Sequence, residues 1–169
     1  MARRKADDGE VSESAVREIV LRRLSHAPRT RSELARDLAR RGVPDEVSTS
    51  VLDGLQECGL IDDDQFAHLW VESRHRGRGL ARGALRRELA DRGVSPEIVS
   101  AALEQIDSES EITRAHVLAE RRLRTMTGCD RPTRQRRLSG YLARRGYSGS
   151  VIATVLSDVL GEGHVDTVV

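Results

Sequence analysis

The feature that most constrains the fold is a pattern of 22 residues that occurs three times and aligns without a gap. Self-similarity at a nearly fixed spacing is the signature of a repeat architecture, in which each unit buries its apolar face against the next unit. The three copies are LARDLARRGVPDEVSTSVLDGL at 34–55, LRRELADRGVSPEIVSAALEQI at 85–106 and LSGYLARRGYSGSVIATVLSDV at 138–159.

Each copy contains the signals of one helix that ends and a second that begins. In the first copy, Leu34 and Leu38 form an apolar stripe, Arg41 lies near the helix end, where the dipole favours a cation, and Gly42 supplies a left-handed turn. In the second copy, Ser95 and Pro96 are suited to cap and start the next helix. The corresponding glycines of the three copies, 51 and 53 residues apart, are Gly42, Gly93 and Gly146.

A further helical pattern precedes each copy, at 15–24, 64–74 and 112–126. Three helices of about 10 to 15 residues bury little surface alone, so the units must stack. No segment shows the period-two alternation of a strand. The sequence therefore predicts an all-α, elongated and curved array of three tandem three-helix repeats. The predicted parts are a disordered tail at 1–12, repeats at 13–62, 63–107 and 108–160, and a C-terminal tail at 161–169.

The sequence contains no run of eighteen apolar residues, and no apolar segment follows the basic start MARRKADDGEVSES. We therefore expect a cytoplasmic protein without a membrane span. The two cysteines, Cys58 and Cys129, lack CxxC spacing, so they are interpreted as reduced, partly buried thiols.

The formal net charge of +1 hides a strong segregation of charge along the chain. Residues 42–64 contain seven acids and no base, and residues 94–113 contain five acids and no base. Residues 74–92 contain seven arginines and two acids, and residues 114–145 contain ten arginines and two acids. Alternating blocks of this kind favour a partner that carries both signs of charge over bare nucleic acid.

The sequence motifs do not support an enzyme active site or a cofactor site. Gly77, Gly79 and Gly83 follow a predicted helix and miss the GxGxxG spacing of a nucleotide site, so they are interpreted as a loop and a mild weakness of the next helix. No GxSxG elbow is present. The five histidines lie in separate segments without the spacing of a metal site. We expect a protein that is not an enzyme and that has no catalytic residue, metal site or cofactor.

Direct DNA binding is the alternative function that the sequence leaves open. Residues 30–61 have the pattern of a helix-turn-helix unit, but its second helix begins with Asp45 and Glu46 and carries no base, which is the wrong charge for a groove lined with phosphates. Aromatic residues make up only 2% of the chain, so stacking platforms for single strands are scarce. Phe66 and Trp70 are interpreted as core residues, with Arg74 placed to stack on Trp70.

The arginines of residues 74–92 are the candidate binding residues. Arg78, Arg82 and Arg86 recur at i, i+4 and i+8, so they are predicted to form one ridge opposite the apolar residues Leu85 and Leu89. Ordinary ion pairs such as Glu72 with Arg76 explain part of this charge as a solvated face, but the surplus of arginine favours an acidic partner. The predicted partner-binding residues are Arg74, Arg76, Arg78, Arg82, Arg86 and Arg87.

Residues 61–103 resemble the RecX family of regulators of the RecA recombinase. The resemblance rests on an acidic and aromatic start (DDDQFA), a basic and glycine-containing loop (RGRG) and the helix end ELADRGV. RRLSGYLARRGYS at 137–148 is also similar to that family, and the first repeat is the loosest match.

The resemblance implies a protein without catalytic activity that binds in the groove of the RecA filament on single-stranded DNA. Such a protein restrains strand exchange, ATP hydrolysis and coprotease activity, and so regulates DNA repair and the SOS response. The implied partners are the RecA filament and the DNA within it, with weak direct DNA contact, and a monomer is expected.

Overall fold

A computed structural model describes residues 12–161, and these residues form nine α-helices and no β-strand. The prediction of an all-α repeat fold is therefore confirmed, whereas the predicted tails lie outside the described residues except for Ser12 and Gly161. The helices are α1 Glu13–His26, α2 Arg31–Arg40, α3 Asp45–Glu57, α4 Asp63–Arg78, α5 Arg82–Asp91, α6 Pro96–Leu103, α7 Ser108–Leu123, α8 Arg131–Arg144 and α9 Gly149–Gly161.

Most of these helices begin just after a short polar residue whose side chain caps the helix. Thr30 forms a capping box with Glu33, in which each side chain accepts a hydrogen bond from the other residue's backbone N–H. Ser95 accepts from the N–H of Ile98, and Pro96 takes the first helical position, as the sequence predicts. The side chains of Ser12, Asp62, Asp107, Asp130 and Ser148 also accept from the N–H three residues on.

The first of two compact units comprises α1, α2, α3, the first turn of α4 and the short segment Arg92–Val94. Its core is aliphatic, because the apolar stripes of the three helices face one another. The fully buried members of that core include Val16, Val20, Leu34, Leu38, Val51, Leu52, Leu55 and Ile61.

The second compact unit contains the rest of α4 and of the α5–α6 region together with α7, α8 and α9. One core cluster joins Ala81, which precedes α5, to apolar residues of the last three helices. Because most of the second helical triplet and the whole of the third lie in one compact unit, the compact units and the three-helix repeats divide the chain differently. The repeat bounds that the sequence suggests, and the curvature of the array, stay predictions.

The turn after α8 packs directly against the start of α5. The N–H of Ala81 donates to the carbonyl of Arg145 over 2.9 Å. Gly146 has a φ of +86°, and a Cβ placed on it would lie 2.1 Å from the backbone nitrogen of Ala84. A Cβ on Gly83 would lie 2.6 Å from the Gly146 carbonyl. Gly83 is therefore required by close backbone contact, and its interpretation as a mild weakness of the helix was incomplete.

The same contact occurs once within the first unit. The hydroxyl of Thr30, just before α2, donates to the carbonyl of Arg92 over 2.7 Å. Gly93, at a φ of +78°, packs so closely that a Cβ on it would lie 2.1 Å from the Ser32 hydroxyl oxygen. Thr30 occupies the repeat position of Ala81, and Gly93 that of Gly146, so both units use the glycine turn as a docking element.

Helices α4 and α7 differ from the sequence prediction by about one turn, and α1 is longer than predicted at both ends. Helix α4 continues to Arg78 and ends at Gly79, which has a φ of +63°, so the predicted RGRG loop is mostly helix. Helix α7 spans Ser108–Leu123 instead of 112–126, because the side chain of Asp107 caps it earlier. Within residues 12–161, no helix is both long and apolar enough to cross a membrane.

Replacing Gly146 with alanine is expected to destabilise the protein by about 3 kcal/mol, since strain at positive φ adds to overlap with Ala84. Gly128→Ala is the matched control, because Gly128 has a φ of +74° and open space around its Cα. That control isolates the backbone strain of about 1 kcal/mol. Urea unfolding followed by circular dichroism measures both variants, and equal losses of stability would refute the docking role of Gly146.

Candidate partner-binding surface

The arginines that the sequence placed on one ridge lie on two helices. Arg78 is the last residue of α4 and Arg82 the first residue of α5, and the chain turns at Gly79 between them. The prediction of a continuous ridge through Arg78, Arg82 and Arg86 is therefore wrong. The physical reason is the left-handed glycine, which interrupts the helical spacing on which the ridge depended.

Arg82 is held inside the second unit. Its guanidinium donates to the carbonyl of Ile106, and its backbone N–H donates to the carboxylate of Glu111 over 2.9 Å. Glu111 is only 8% exposed, so this carboxylate is committed to the contact. Arg82 therefore ties the start of α5 to the residues around the start of α7, and it is a structural residue more than a docking residue.

Tyr147 completes the attachment of the turn between α4 and α5. Its buried hydroxyl donates to the carbonyl of Gly79 over 3.2 Å. Burial, together with the negative charge of Glu111, raises the pKa of Tyr147 to about 12. The phenol consequently keeps its proton, and its role as a donor, through the neutral range.

Arg74 also has an internal partner. Its guanidinium lies 4.1 Å from the centre of the Trp70 ring, which confirms the predicted cation–π contact. The indole N–H of Trp70 donates to the carboxylate of Glu88 over 2.8 Å. Trp70 and Arg74 are both half-buried in this arrangement, so neither is an open stacking platform.

Four of the six predicted arginines remain exposed, and we call them the α4–α5 arginine surface: Arg76, Arg78, Arg86 and Arg87. Arg76 forms the predicted ion pair with Glu72 over 2.6 Å, yet its side chain is 79% exposed. Arg78, Arg86 and Arg87 have no acidic partner among residues 12–161. This surface is therefore cationic and accessible.

A second basic surface lies on α8, and the sequence prediction of binding residues missed it. None of the ten arginines in residues 114–145 forms an ion pair with an acid of the described chain. Arg136, Arg137 and Arg144 are exposed and lie on one face of α8 around Gly140. We call these three residues the α8 arginine surface. The excess of ten arginines over two acids in this stretch was the available signal.

The arginines of the first unit are, in contrast, largely neutralised. Asp37 pairs with Arg23, Arg40 and Arg41 at 3.0 to 3.3 Å. Burial acts to raise the pKa of Asp37, but the hydrogen bond from Arg40 and the charges of Arg23 and Arg41 outweigh it and lower that pKa. Among residues 12–161, arginines without an acidic partner are therefore concentrated in the second unit.

Other candidate sites have little structural support. Asp45 and Glu46 are exposed at the start of α3, so the helix that would read DNA begins with negative charge. Within the described part of the chain, no group of three histidine, cysteine or acidic residues is arranged to hold a metal. Cys129 is half-buried, whereas Cys58 is exposed, contrary to the prediction that it is partly buried, because its helix end faces solvent.

Arg82→Met and Arg86→Met test the distinction between the two positions. We expect Arg82→Met to lower the free energy of unfolding by about 1.5 kcal/mol, because it removes a charged donor from the Ile106 carbonyl. Arg86→Met is expected to change it by less than about 0.5 kcal/mol, as is usual at exposed positions. Chemical denaturation measures both, and similar stabilities would contradict the structural role of Arg82.

Comparison with known proteins connects this architecture to one family. Models of the first, second and third three-helix domains of RecX match residues 17–55, 62–103 and 109–156. The chain is 46% identical to the regulatory protein RecX of Streptomyces coelicolor, over 96% of this chain and 88% of that protein. It is 47% identical to the RecX protein of Thermobifida fusca, over 85% of this chain and 78% of that protein.

The fold is also similar to solved structures. The crystal structure of RecX from Lactobacillus salivarius superimposes with a TM-score of 0.79, at 20% identity, over 87% of this chain and 96% of that chain. A second crystal structure of a RecX regulatory protein gives 0.78 at 23% identity, over 92% of this chain and 81% of that chain. The three domain matches and the high identity over nearly the whole chain show that this protein belongs to the RecX family.

Proposed function

We propose that this protein modulates the RecA recombinase, mainly as an inhibitor, by binding in the groove of the RecA filament on single-stranded DNA. It restrains strand exchange, ATP hydrolysis and coprotease activity, and through them regulates DNA repair and the SOS response. It acts in the cytoplasm as a monomer and performs no catalysis. The observation that carries the proposal is the pair of exposed arginine surfaces that have few acidic partners in the chain's own fold.

A filament of protein on DNA fits the charge distribution better than bare DNA does. In addition to the arginine surfaces, exposed acids occur on helices of each unit, and they would repel a continuous line of phosphates. A filament presents protein groups of both signs as well as phosphate, so acids and arginines each find complementary charge. The exposed acids include Asp45, Glu46, Glu57, Glu97, Glu104 and Glu109.

The scarcity of open aromatic rings supports the same choice. Proteins that bind single strands by themselves usually stack bases on exposed aromatic side chains. Here Phe66 and Tyr147 are buried, Trp70 is covered by Arg74, and Tyr141 lies 4.1 Å from the guanidinium of Arg145. Direct contact with DNA is therefore confined to weak, salt-sensitive interactions with phosphate.

The proposal assigns different roles to the six arginines that the sequence identified. Arg76, Arg78, Arg86 and Arg87 contact the filament, because their guanidinium groups are exposed. Arg74 and Arg82 act indirectly, since they stack or bond within the second unit and so fix the helices that carry the other four. These contacts guide encounter and register more than they add affinity, because exposed charges are screened by salt.

Titration of the purified protein into preformed RecA filaments on single-stranded DNA tests the proposal. We expect ATP hydrolysis by RecA to fall as the protein is added, with most of the decrease complete at stoichiometric or lower levels. A steady rate of hydrolysis throughout the titration would refute inhibition of the filament.

A triple variant of the α4–α5 arginine surface tests the contact residues. Arg78→Glu, Arg86→Glu and Arg87→Glu together are expected to raise the protein concentration for half-inhibition at least about tenfold, because three cations become anions. The matched control changes Arg22, Arg40 and Arg41 to glutamate, which are exposed residues of the first unit. Equal inhibition by both triple variants, with unchanged circular dichroism, would remove this surface from the mechanism.

A further inference from the structure

An open groove of about 480 Å³ lies within the second unit, between the end of α4 and the first half of α7. This volume is within the usual range for ligand-binding clefts and accommodates a few residues of extended peptide. Its lining includes His75, Arg76, Asp107, Glu109, Arg114 and Val117.

The groove is where a basic and an acidic stretch of the sequence face each other. His75 and Arg76 belong to the arginine-rich residues 74–92, and Asp107 and Glu109 belong to residues 94–113, which contain five acids and no base. Arg114 begins the next basic stretch. The groove is consequently lined by both cationic and anionic groups.

These opposite charges do not neutralise one another. Arg76 pairs with Glu72 on its own helix, and Glu109 pairs with no cation among the described residues. Arg114 donates to the backbone carbonyl of Arg76, but it pairs with no carboxylate, and its buried Nε has no hydrogen-bond partner. The carboxylate of Glu109 and the guanidinium of Arg114 therefore have no ion-pair partner among residues 12–161 that a ligand would have to displace.

Asp107 contributes a second, fixed negative charge. Hydrogen bonds from the N–H and hydroxyl groups of Ser110 are the main reason that the pKa of Asp107 is lowered. The carboxylate therefore stays ionised well below neutral pH. Together with Glu109, it makes the mouth of the groove unfavourable for phosphate.

The walls of the groove are held in place before any ligand arrives. Arg114 ties α7 to the end of α4 through the Arg76 carbonyl, and the Nδ1 atom of His75 lies 2.8 Å from the carbonyl of Leu80. The contact between Arg82 and Glu111 fixes the start of α7 relative to α5. A cleft that is already formed requires little ordering when a ligand binds.

An apolar contact is also available. Val117 is 51% exposed although it is a large aliphatic residue, and it lines the groove together with the methyl-bearing side chain of Thr113. Exposed aliphatic surface beside charged groups is typical of protein-binding clefts.

We propose that this groove binds an extended peptide segment of the recombinase partner that carries a carboxylate and a cationic side chain a few residues apart. The carboxylate is bound by Arg76 and Arg114, the cation by Asp107 and Glu109, and an intervening apolar group packs on Val117. The inference rests on the proposed function, and it names the chemistry of the partner segment that this groove selects.

The test uses fluorescently labelled full-length protein and RecA filaments assembled on single-stranded DNA. Glu109→Lys is expected to weaken binding about tenfold, because it places a cation where the ligand's own cation binds. The matched control is Glu97→Lys. Glu97 is exposed and is the second residue of α6, just as Glu109 is the second residue of α7. Anisotropy gives the Kd, and circular dichroism melting verifies that both variants fold.

A second variant examines the apolar contact. Val117→Asp is expected to weaken filament binding at least about fivefold, because it buries a new charge against the ligand's apolar group. Leu69→Asp is its control, since Leu69 is 56% exposed and does not line the groove.

Three outcomes decide the matter. Weaker binding by the two groove variants and unchanged binding by the two controls supports the inference. Equal Kd values for Glu109→Lys and Glu97→Lys overturn it, and tighter binding of Glu109→Lys to filaments and to bare single-stranded DNA overturns it in favour of a phosphate site. Failure of the unaltered protein to inhibit ATP hydrolysis is a different result, which refutes the proposed function itself.

Discussion

The docking of a left-handed glycine turn onto the start of a helix is the contact on which the positions of the functional groups depend. In the second unit, Gly146 lies against the backbone of Ala84, and the carbonyl of Arg145 accepts from Ala81. Only glycine tolerates both the positive φ of Gly146 and the close approach of Ala84, because glycine has no Cβ. Because this contact fixes where α5 begins, it also fixes which arginines turn inward and which turn outward.

Two kinds of arginine result from that geometry. Arg82 enters the unit, where it is bound by the Ile106 carbonyl, and Arg74 covers the ring of Trp70. Arg86 and Arg87 follow on the same helix as Arg82 but remain exposed. Arginines a few residues apart on α5 therefore differ in role, because Arg82 stabilises the fold whereas Arg86 and Arg87 are left exposed for the proposed partner. Substitution data on such a stretch have to be interpreted with stability measured in parallel.

The sequence predicted the repeat, the all-α fold and the family, because these depend on apolar spacing and glycine positions that are local and occur three times. The three glycines and the cap at Ser95 were predicted correctly for this reason. The prediction of one ridge through Arg78, Arg82 and Arg86 was wrong, because it extended the helical spacing across Gly79, whose positive φ is not visible in the sequence.

The candidate site was predicted only in part. Exposure of Arg86 follows from its position opposite the apolar stripe, but the buried contact between Arg82 and Glu111 joins residues 29 positions apart. The groove between the end of α4 and α7 was not predicted for the same reason, because Arg76 and Arg114 are far apart in sequence and meet only in the fold. The surplus of arginine around α8 is visible in the sequence, but its lack of acidic partners among residues 12–161 depends on which side chains meet in the fold.

We propose that this protein recognises a protein filament first and nucleic acid second. The most direct measurement compares the Kd of the labelled protein for RecA filaments on single-stranded DNA with its Kd for the same DNA alone, at physiological salt. We expect the protein to bind the filament at least about tenfold more tightly than the bare DNA, because only the filament offers charge of both signs. Equal or tighter binding to the bare DNA would contradict it.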